Sequence, residues 1–168
     1  MAINHSAVIG GVDVAQGPLG DSNESVEQLN SLLRGEISAA ETYRMAIDKF
    51  SKSSRSSDVG LLQGIQQEHS RTAQTLRDRI REIDGDPSDA SGAWGVWAKM
   101  VQGLADMVGD SSSLKALKEG EEHGLKDYEA ALDRVDVTSR QLIQNQCIPS
   151  QQRHIGVLDQ LINLSATA

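Results

Sequence analysis

The sequence contains few of the residues that build sheets, covalent cross-links or membrane spans. Aromatic residues make up 3% of its 168 residues, and its single cysteine, Cys147, excludes an intrachain disulfide. The longest apolar-leaning stretch, residues 93–108, is interrupted by Lys99, Gln102 and Asp106, so it cannot span a bilayer. A core filled by Leu, Ile, Val, Ala and Met suits helices better than sheets. We therefore expect an all-α protein.

The charge pattern also argues against a nucleic-acid partner. The formal net charge is -8, and acidic and basic residues are interleaved along the chain. Nucleic-acid binding needs a concentrated basic surface that neutralises phosphates, and none is present in the pattern. No cationic start leads into an apolar run, so we predict no secretory signal, and a reducing cytoplasm is the expected location.

The periodicity of apolar residues divides the chain into a tail and one helical domain. Residues 1–21 contain four glycines and Pro18 without helical spacing, which predicts a flexible N-terminal tail. Residues 22–168 carry apolar residues three or four positions apart, which predicts four long helices. The first begins near Ser25, where Ser25-x-x-Gln28 resembles a capping box. The others are expected at about residues 58–84, from residue 110 or 111, and from a turn at 136–138 to about 164.

The connection between helices two and three is long and carries both tryptophans. It includes a predicted short helix at residues 93–107, and it can cross the length of a bundle, which would make helices two and three parallel. Trp94 and Trp97 either cover the flank of the bundle or form a face for a partner, and we favour the first. Pro149 lies inside helix four and is expected to kink it, because its nitrogen cannot donate to the Asn145 carbonyl.

An internal repeat is the most informative feature. A shift of 85 residues aligns residues 29–76 with residues 114–161 without a gap and gives 13 identities in 48 positions, so we infer a duplication. The identical pairs include Glu36 with Glu121 and His69 with His154. One helical hairpin cannot bury its own apolar face, so the two hairpins are expected to close on each other.

Polar residues of both halves are predicted to point into the bundle. Two helical turns separate Glu36 from Tyr43, so both lie on the apolar side of helix one. Glu68 lies roughly opposite Gln66 around helix two, and His123 is similarly displaced from Glu121, so both are expected to face away. The inward set repeats in both halves: Glu36, Tyr43, Gln66, His69, Glu121, Tyr128, Gln151 and His154.

These segments resemble the ferritin-like superfamily, particularly its rubrerythrin-like bundles. GEISAAETY and GEEHGLKDY are similar to that family's glutamate followed seven residues later by tyrosine, and QQEH and QQRH are similar to its Glu-x-x-His element. The resemblance covers residues 25–164 and is nearest to an uncharacterised bacterial four-helix-bundle family in the superfamily. It implies a ferritin-like four-helix bundle of two repeated hairpins, whose long crossover carries a short extra helix between helices two and three.

The sequence departs from that pattern at the glutamate of each Glu-x-x-His element. A di-iron bundle takes a glutamate from each of two helices and Glu-x-x-His from the other two, and the resemblance implies that the carboxylates replaced by Gln66 and Gln151 would bridge the metals. The candidate ligands that remain, for one zinc or iron ion, are Glu36, His69, Glu121 and His154, with Gln66, Gln151, Tyr43 and Tyr128 around them. A metal-free hydrogen-bonded network of the same residues is an equal alternative to a single ion, and a dinuclear centre is the least favoured.

Two functional hypotheses from different classes follow from this set. The first is a non-catalytic ferritin-like bundle with a degenerate or single-metal polar core, for which the resemblance implies an association with stress. The second is an enzyme, an iron-dependent oxidase or peroxidase with a di-iron centre. The partner is open between another copy of the chain and an unknown protein, since neither follows from the fold alone.

Overall fold

The structure, a computed structural model, describes residues 21–91 and 110–166. The described residues form helices and contain no strand: α1 (Ser22–Phe50), a 3₁₀ turn (Ser56–Asp58), α2 (Val59–Glu82), α3 (Asp110–Ala131), α4 (Val137–Leu142), a π-helical segment (Ile143–Cys147) and α5 (Ile148–Ala166). Because α4, the π-helical segment and α5 follow one another without a break, they form the fourth rod of a bundle. The expected all-α four-helix architecture is confirmed. Apart from Asp21, the predicted tail (residues 1–21) lies outside the described residues, as does the predicted tryptophan helix.

Contacts between the hairpins establish the direction of each helix. Tyr43 on α1 donates to Glu121 on α3, and Tyr128 donates to Glu36, so α1 and α3 run antiparallel. Since α2 returns antiparallel to α1 after a short turn, α2 and α3 are parallel. The C-terminal end of α2 and the N-terminal end of α3 therefore lie at opposite ends of the bundle, in agreement with the predicted parallel arrangement.

The start of α1 differs from its prediction by one helical turn. Asp21 is the N-cap, and its carboxylate accepts a 2.8 Å hydrogen bond from the Glu24 backbone N–H. The predicted capping residue, Ser25, is fully buried, and its hydroxyl instead accepts a 2.9 Å bond from the Asp136 backbone N–H. Aspartate is at least as good an N-cap as serine, so α1 begins one turn earlier, after Asp21. The Ser25 hydroxyl instead forms a hydrogen bond between the two hairpins.

The end of α2 depends on close packing at Gly85. Asp84 adopts a left-handed backbone conformation with φ 58°, and the Gly85 N–H then donates to the Ile80 carbonyl at 2.8 Å. A Cβ atom on Gly85 would lie 2.7 Å from a methyl carbon of Val26 on α1. Glycine therefore allows the end of α2 to meet the first turns of α1.

The fourth rod contains a π-helical segment immediately before Pro149. The Asp136 carboxylate begins the rod by accepting from the backbone N–H groups of Thr138 and Ser139, at 3.0 and 3.1 Å, which matches the predicted turn. The segment Ile143–Cys147 then departs from α-helical bonding. Pro149 has no N–H to donate to Asn145, so the i to i−4 pattern is interrupted where the π-helical segment lies.

The core consists of two apolar clusters, one toward each end of the bundle. One contains Phe50, Leu62, Leu114 and Leu161, and the other contains Leu29, Leu33, Ile80, Val135 and Ile143. Residues 36, 69, 121 and 154 lie between these positions along their helices, so the polar side chains sit at mid-height of the bundle. None of the helices in the described ranges is long and apolar enough to cross a membrane.

Candidate metal centre

Each rod of the bundle supplies one of the four predicted metal ligands to the same buried region. Glu36 is on α1, His69 on α2, Glu121 on α3 and His154 on α5. Their exposed fractions are 5%, 1%, 0% and 4%, so all four are buried. The apolar faces of the helices direct these residues inward, because each lies three or four positions from core residues of its own helix.

The imidazole of His69 stands between the two glutamates. Its Nδ1 lies 2.9 Å from Glu36 Oε2, and its Nε2 lies 3.0 Å from Glu121 Oε1. Burial alone would lower the pKa of His69, but the charges of Glu121 and Glu36 outweigh it and raise the pKa to about 10. In the metal-free protein His69 is therefore an imidazolium ion that donates to both carboxylates.

Glu121 is the most highly connected group of the cluster. Its Oε1 accepts from the Tyr43 hydroxyl at 2.5 Å as well as contacting His69, and its Oε2 lies 2.6 Å from Gln151 Nε2 and 3.3 Å from His154 Nδ1. Burial alone would raise the pKa of Glu121, but the charge of His69 and hydrogen bonds with both histidines lower it to about 2. The carboxylate is ionised although no part of it reaches solvent.

The tyrosines connect the two halves reciprocally. Tyr128 donates to Glu36 Oε1 at 2.6 Å, just as Tyr43 donates to Glu121, so each tyrosine binds the glutamate of the other half. Burial and the adjacent carboxylates raise the pKa of both tyrosines well above their usual range, so they remain hydroxyl donors. Burial and the charge of Glu36 raise the pKa of Cys147 to about 12, so its thiol is not a nucleophile.

One predicted member of the inward set, Gln66, does not reach the cluster. Its amide nitrogen lies 3.4 Å from the Ser70 hydroxyl, and the residue lines a groove on the surface of α1 and α2. Gln151 does reach the cluster, because Gly124 leaves room for it: a Cβ atom on Gly124 would lie 2.8 Å from Gln151 Nε2. The residue at the position of Gly124 in the first half is Ala39, which is buried. The two halves therefore differ by one methyl group at this position.

Glu68, which was predicted to face away, instead contacts the cluster. Its Oε2 lies 3.1 Å from His154 Nε2 and also accepts from the Ser150 hydroxyl at 2.6 Å. The hydrogen bond from Ser150, with those of His154 and Arg153, lowers the pKa of Glu68 to about 2 despite partial burial. One sequence signal was available: Glu68 and Arg153 occupy the same position of QQEH and QQRH with opposite charges, and the two residues form a salt bridge. His123 is on the outside as predicted, 3.5 Å from Asp127.

Three of the four predicted ligands can reach one metal ion, and the fourth is displaced. Ligand atoms of His69, Glu121 and His154 all lie within 4.8 Å of one another. The ligands of one tetrahedral ion are about 3.4 Å apart, so the contacts of 3.0 and 3.3 Å from the two imidazoles to Glu121 are close to that spacing. Glu36 contacts the opposite edge of His69, so the imidazole separates it from this group.

Comparisons with known proteins agree with the bundle architecture. The family model described as "Domain of unknown function (DUF2383)" matches residues 24–134. The chain belongs to the DUF2383 family. The structure of a ferritin-like, diiron-carboxylate protein from Bacillus anthracis str. Ames is similar, with a TM-score of 0.68, 20% sequence identity, and coverage of 84% of this chain and 97% of the other. That likeness shows a ferritin-like fold. No curated protein sequence matches this DUF2383 chain.

A di-iron centre does not fit the side chains of this DUF2383 protein. Six ligands, four of them carboxylates, are needed from the four helices. Gln66 lines a surface groove, and Gln151 uses its amide nitrogen as a donor to the Glu121 carboxylate and to the Glu121 backbone carbonyl. The Gln151 N–H group donates to the central carboxylate and supplies no ligand oxygen for a second cation. The donor set fits a single ion.

Proposed function

We propose that this protein is a ferritin-like metal-binding bundle that holds one divalent transition-metal ion, zinc or ferrous iron, without catalysing dinuclear oxygen chemistry. The ligands are His69 Nε2, His154 Nδ1 and the Glu121 carboxylate. Two imidazoles and a carboxylate are a ligand set that suits both metals. Glu36 and Glu68 orient the two imidazoles and are not ligands of the ion in its final position.

The observation that carries this proposal is the arrangement around the two imidazoles. Each ring directs one nitrogen at Glu121 and the other at a separate carboxylate, Glu36 for His69 and Glu68 for His154. Metal-binding histidines commonly donate their second N–H to a carboxylate, which selects the tautomer and strengthens the ligand nitrogen. A network with only a packing role has no need for two histidines that converge on one carboxylate in this way.

Metal binding in this site competes with a proton. His69 carries a proton on Nε2 in the metal-free protein, because that nitrogen faces Glu121 and the pKa of the ring is about 10. A metal ion must displace that proton, so its affinity increases with pH. In the metal-free alternative, the same residues form a complete hydrogen-bonded network, and the bundle stays folded without an ion.

Titration of chelator-treated protein with cobalt(II), which reports its coordination by visible absorption, tests the proposal. We expect saturation at one ion per chain and loss of most binding in Glu121→Gln and His154→Ala. Glu122→Gln and His123→Ala are matched controls, because both residues lie beside Glu121 on α3 with exposed side chains and are expected to bind like wild type. Two ferrous ions per chain with peroxide turnover would support the oxidase, and absence of saturable binding would leave only the metal-free network.

A further inference from the structure

The candidate metal centre is sealed on one side and connected to the surface on the other. On the Glu36 side, the carboxylate accepts from the buried Tyr128 hydroxyl and is itself 5% exposed. On the His154 side, the ring is in contact with Glu68, whose side chain is 35% exposed. A chain of two contacts therefore leads from solvent through Glu68 and His154 to Glu121.

A groove of about 380 Å³ between α2 and the fourth rod includes Glu68 in its lining. Apart from Glu68, its lining includes Arg71 and Arg153 and the neutral polar side chains of Thr72, Asn145, Gln146 and Ser150. Asn145 and Gln146 belong to the π-helical segment, which interrupts the regular surface of the fourth rod at this point. Such segments are common beside functional sites.

Arg153 lines this groove beside Glu68 and is bonded to it. Its Nη2 lies 3.1 Å from Glu68 Oε2 and 3.2 Å from the Ser150 hydroxyl, so the guanidinium occupies the carboxylate oxygen that also contacts His154. Its side chain is 61% exposed, and an exposed ion pair of this kind contributes at most about 1 kcal/mol, so the arginine can leave with little cost. A cation that approaches Glu68 through the groove must therefore compete with the positive charge of Arg153 for the same carboxylate oxygen.

We infer that Glu68 and Arg153 form a gate for metal ions, in which Glu68 is the first carboxylate that binds an entering cation and Arg153 competes with the cation for it. This inference rests on the proposed function, because it needs an ion whose final position is among His69, Glu121 and His154. Arg153 bonds to Glu68 and Ser150 and not to the three ligand groups, so its effect is on metal entry and release and not on the bound state. Glu68 both receives the ion and orients His154.

A gate has a kinetic signature that a ligand lacks. Removal of the gating side chain speeds both the association and the release of the metal ion. The equilibrium constant for metal binding therefore stays nearly constant. Loss of a ligand or of its orientation changes the equilibrium constant mainly through faster release.

Stopped-flow mixing of the full-length metal-free protein with cobalt(II), followed by a chelator chase, measures both rates. For Arg153→Gln we expect association and release to rise together by about tenfold, with less than about a threefold change in Kd. For Glu68→Gln we expect association to fall by about tenfold, because the groove then presents positive charge alone. Arg134→Gln is the matched control, since Arg134 forms a similar exposed pair with Glu24 at 2.9 Å at the end of the bundle.

The outcomes separate the gate from the metal site itself. Saturable binding of one cobalt ion per chain with Arg153→Gln rates equal to those of Arg134→Gln would overturn the gate and leave the proposed function intact. An unchanged association rate in Glu68→Gln would overturn it as well. Absence of saturable cobalt binding in the wild-type protein would overturn both the gate and the proposed function.

Discussion

Replacing Glu121 with alanine is expected to lower the free energy of unfolding of the metal-free protein by about 3–5 kcal/mol. Glu121 is fully buried and joins Tyr43, His69, Gln151 and His154. Its removal leaves a buried imidazolium with one carboxylate instead of two. It also removes the carboxylate that accepts from the Tyr43 hydroxyl and from Gln151, whose amide keeps only its bond to the backbone carbonyl of residue 121. Breaking one side of a buried charge network costs far more than the network contributes as a whole, because the remaining groups stay desolvated.

Urea unfolding at pH 7 in the presence of chelator, followed by circular dichroism, measures this loss. Glu122→Ala is the control, because the Glu122 side chain is 46% exposed and pairs with Lys118 at the surface, at 3.4 Å. We expect the control to change stability by less than about 0.5 kcal/mol. A loss below about 1 kcal/mol in Glu121→Ala would show that the cluster is not the buried charged network described above.

The stability of the metal-free protein is expected to fall between about pH 6.5 and pH 10 by several kcal/mol. The pKa of His69 is raised from 6.5 to about 10 by Glu121 and Glu36 against the effect of burial, so the folded state binds the proton more tightly than the unfolded state. The stabilisation is complete below pH 6.5 and is lost as the pH rises through 10. Glu121 determines the stability at acidic pH. Its pKa is lowered from 4.5 to about 2 in the folded state, so stability is lost as the pH falls from 4.5 toward 2. Maximum stability is therefore expected near pH 5–6.

Urea unfolding across pH 5–10 gives this dependence, and nitrogen-15 chemical shifts of the His69 ring identify the group responsible. At pH 8 we expect the His69 ring to remain doubly protonated, whereas an unperturbed histidine has a pKa near 6.5 and would be neutral. Constant stability from pH 6.5 to pH 9 together with a neutral His69 ring at pH 8 would show that the imidazole is not held as a cation between Glu36 and Glu121.

Helical spacing and the internal repeat predicted much of the arrangement. Apolar periodicity identified the inner face of each helix, and the pairing of Glu36 with Glu121 and His69 with His154 placed four polar groups at one height. The length of the connection after α2 predicted that α2 and α3 run parallel. These inferences depend on properties that are local or that repeat along the chain, which is why a single sequence was sufficient for them.

The remaining features depend on differences of one side chain between the halves. The repeat predicted the same position for Gln66 and Gln151, but Gly124 makes room for Gln151 and Ala39 stands at the matching position in the first half. Helical geometry alone placed Glu68 on the outer side, although a glutamate is long enough to reach His154 on the neighbouring helix. How far a side chain reaches, and how much space it has, depend on contacts between helices. The spacing of residues within one helix carries no information about those contacts.

The most direct test of the single-metal site is a crystal structure of cobalt-loaded protein with an anomalous difference map at the cobalt absorption edge. We expect one peak per chain at mid-height of the bundle, about 2.0–2.2 Å from His69 Nε2, His154 Nδ1 and a Glu121 oxygen, with Glu36 and Glu68 on the far nitrogens of the two rings. Two peaks bridged by carboxylates, or a peak on the surface with the buried cluster unchanged, would contradict the account.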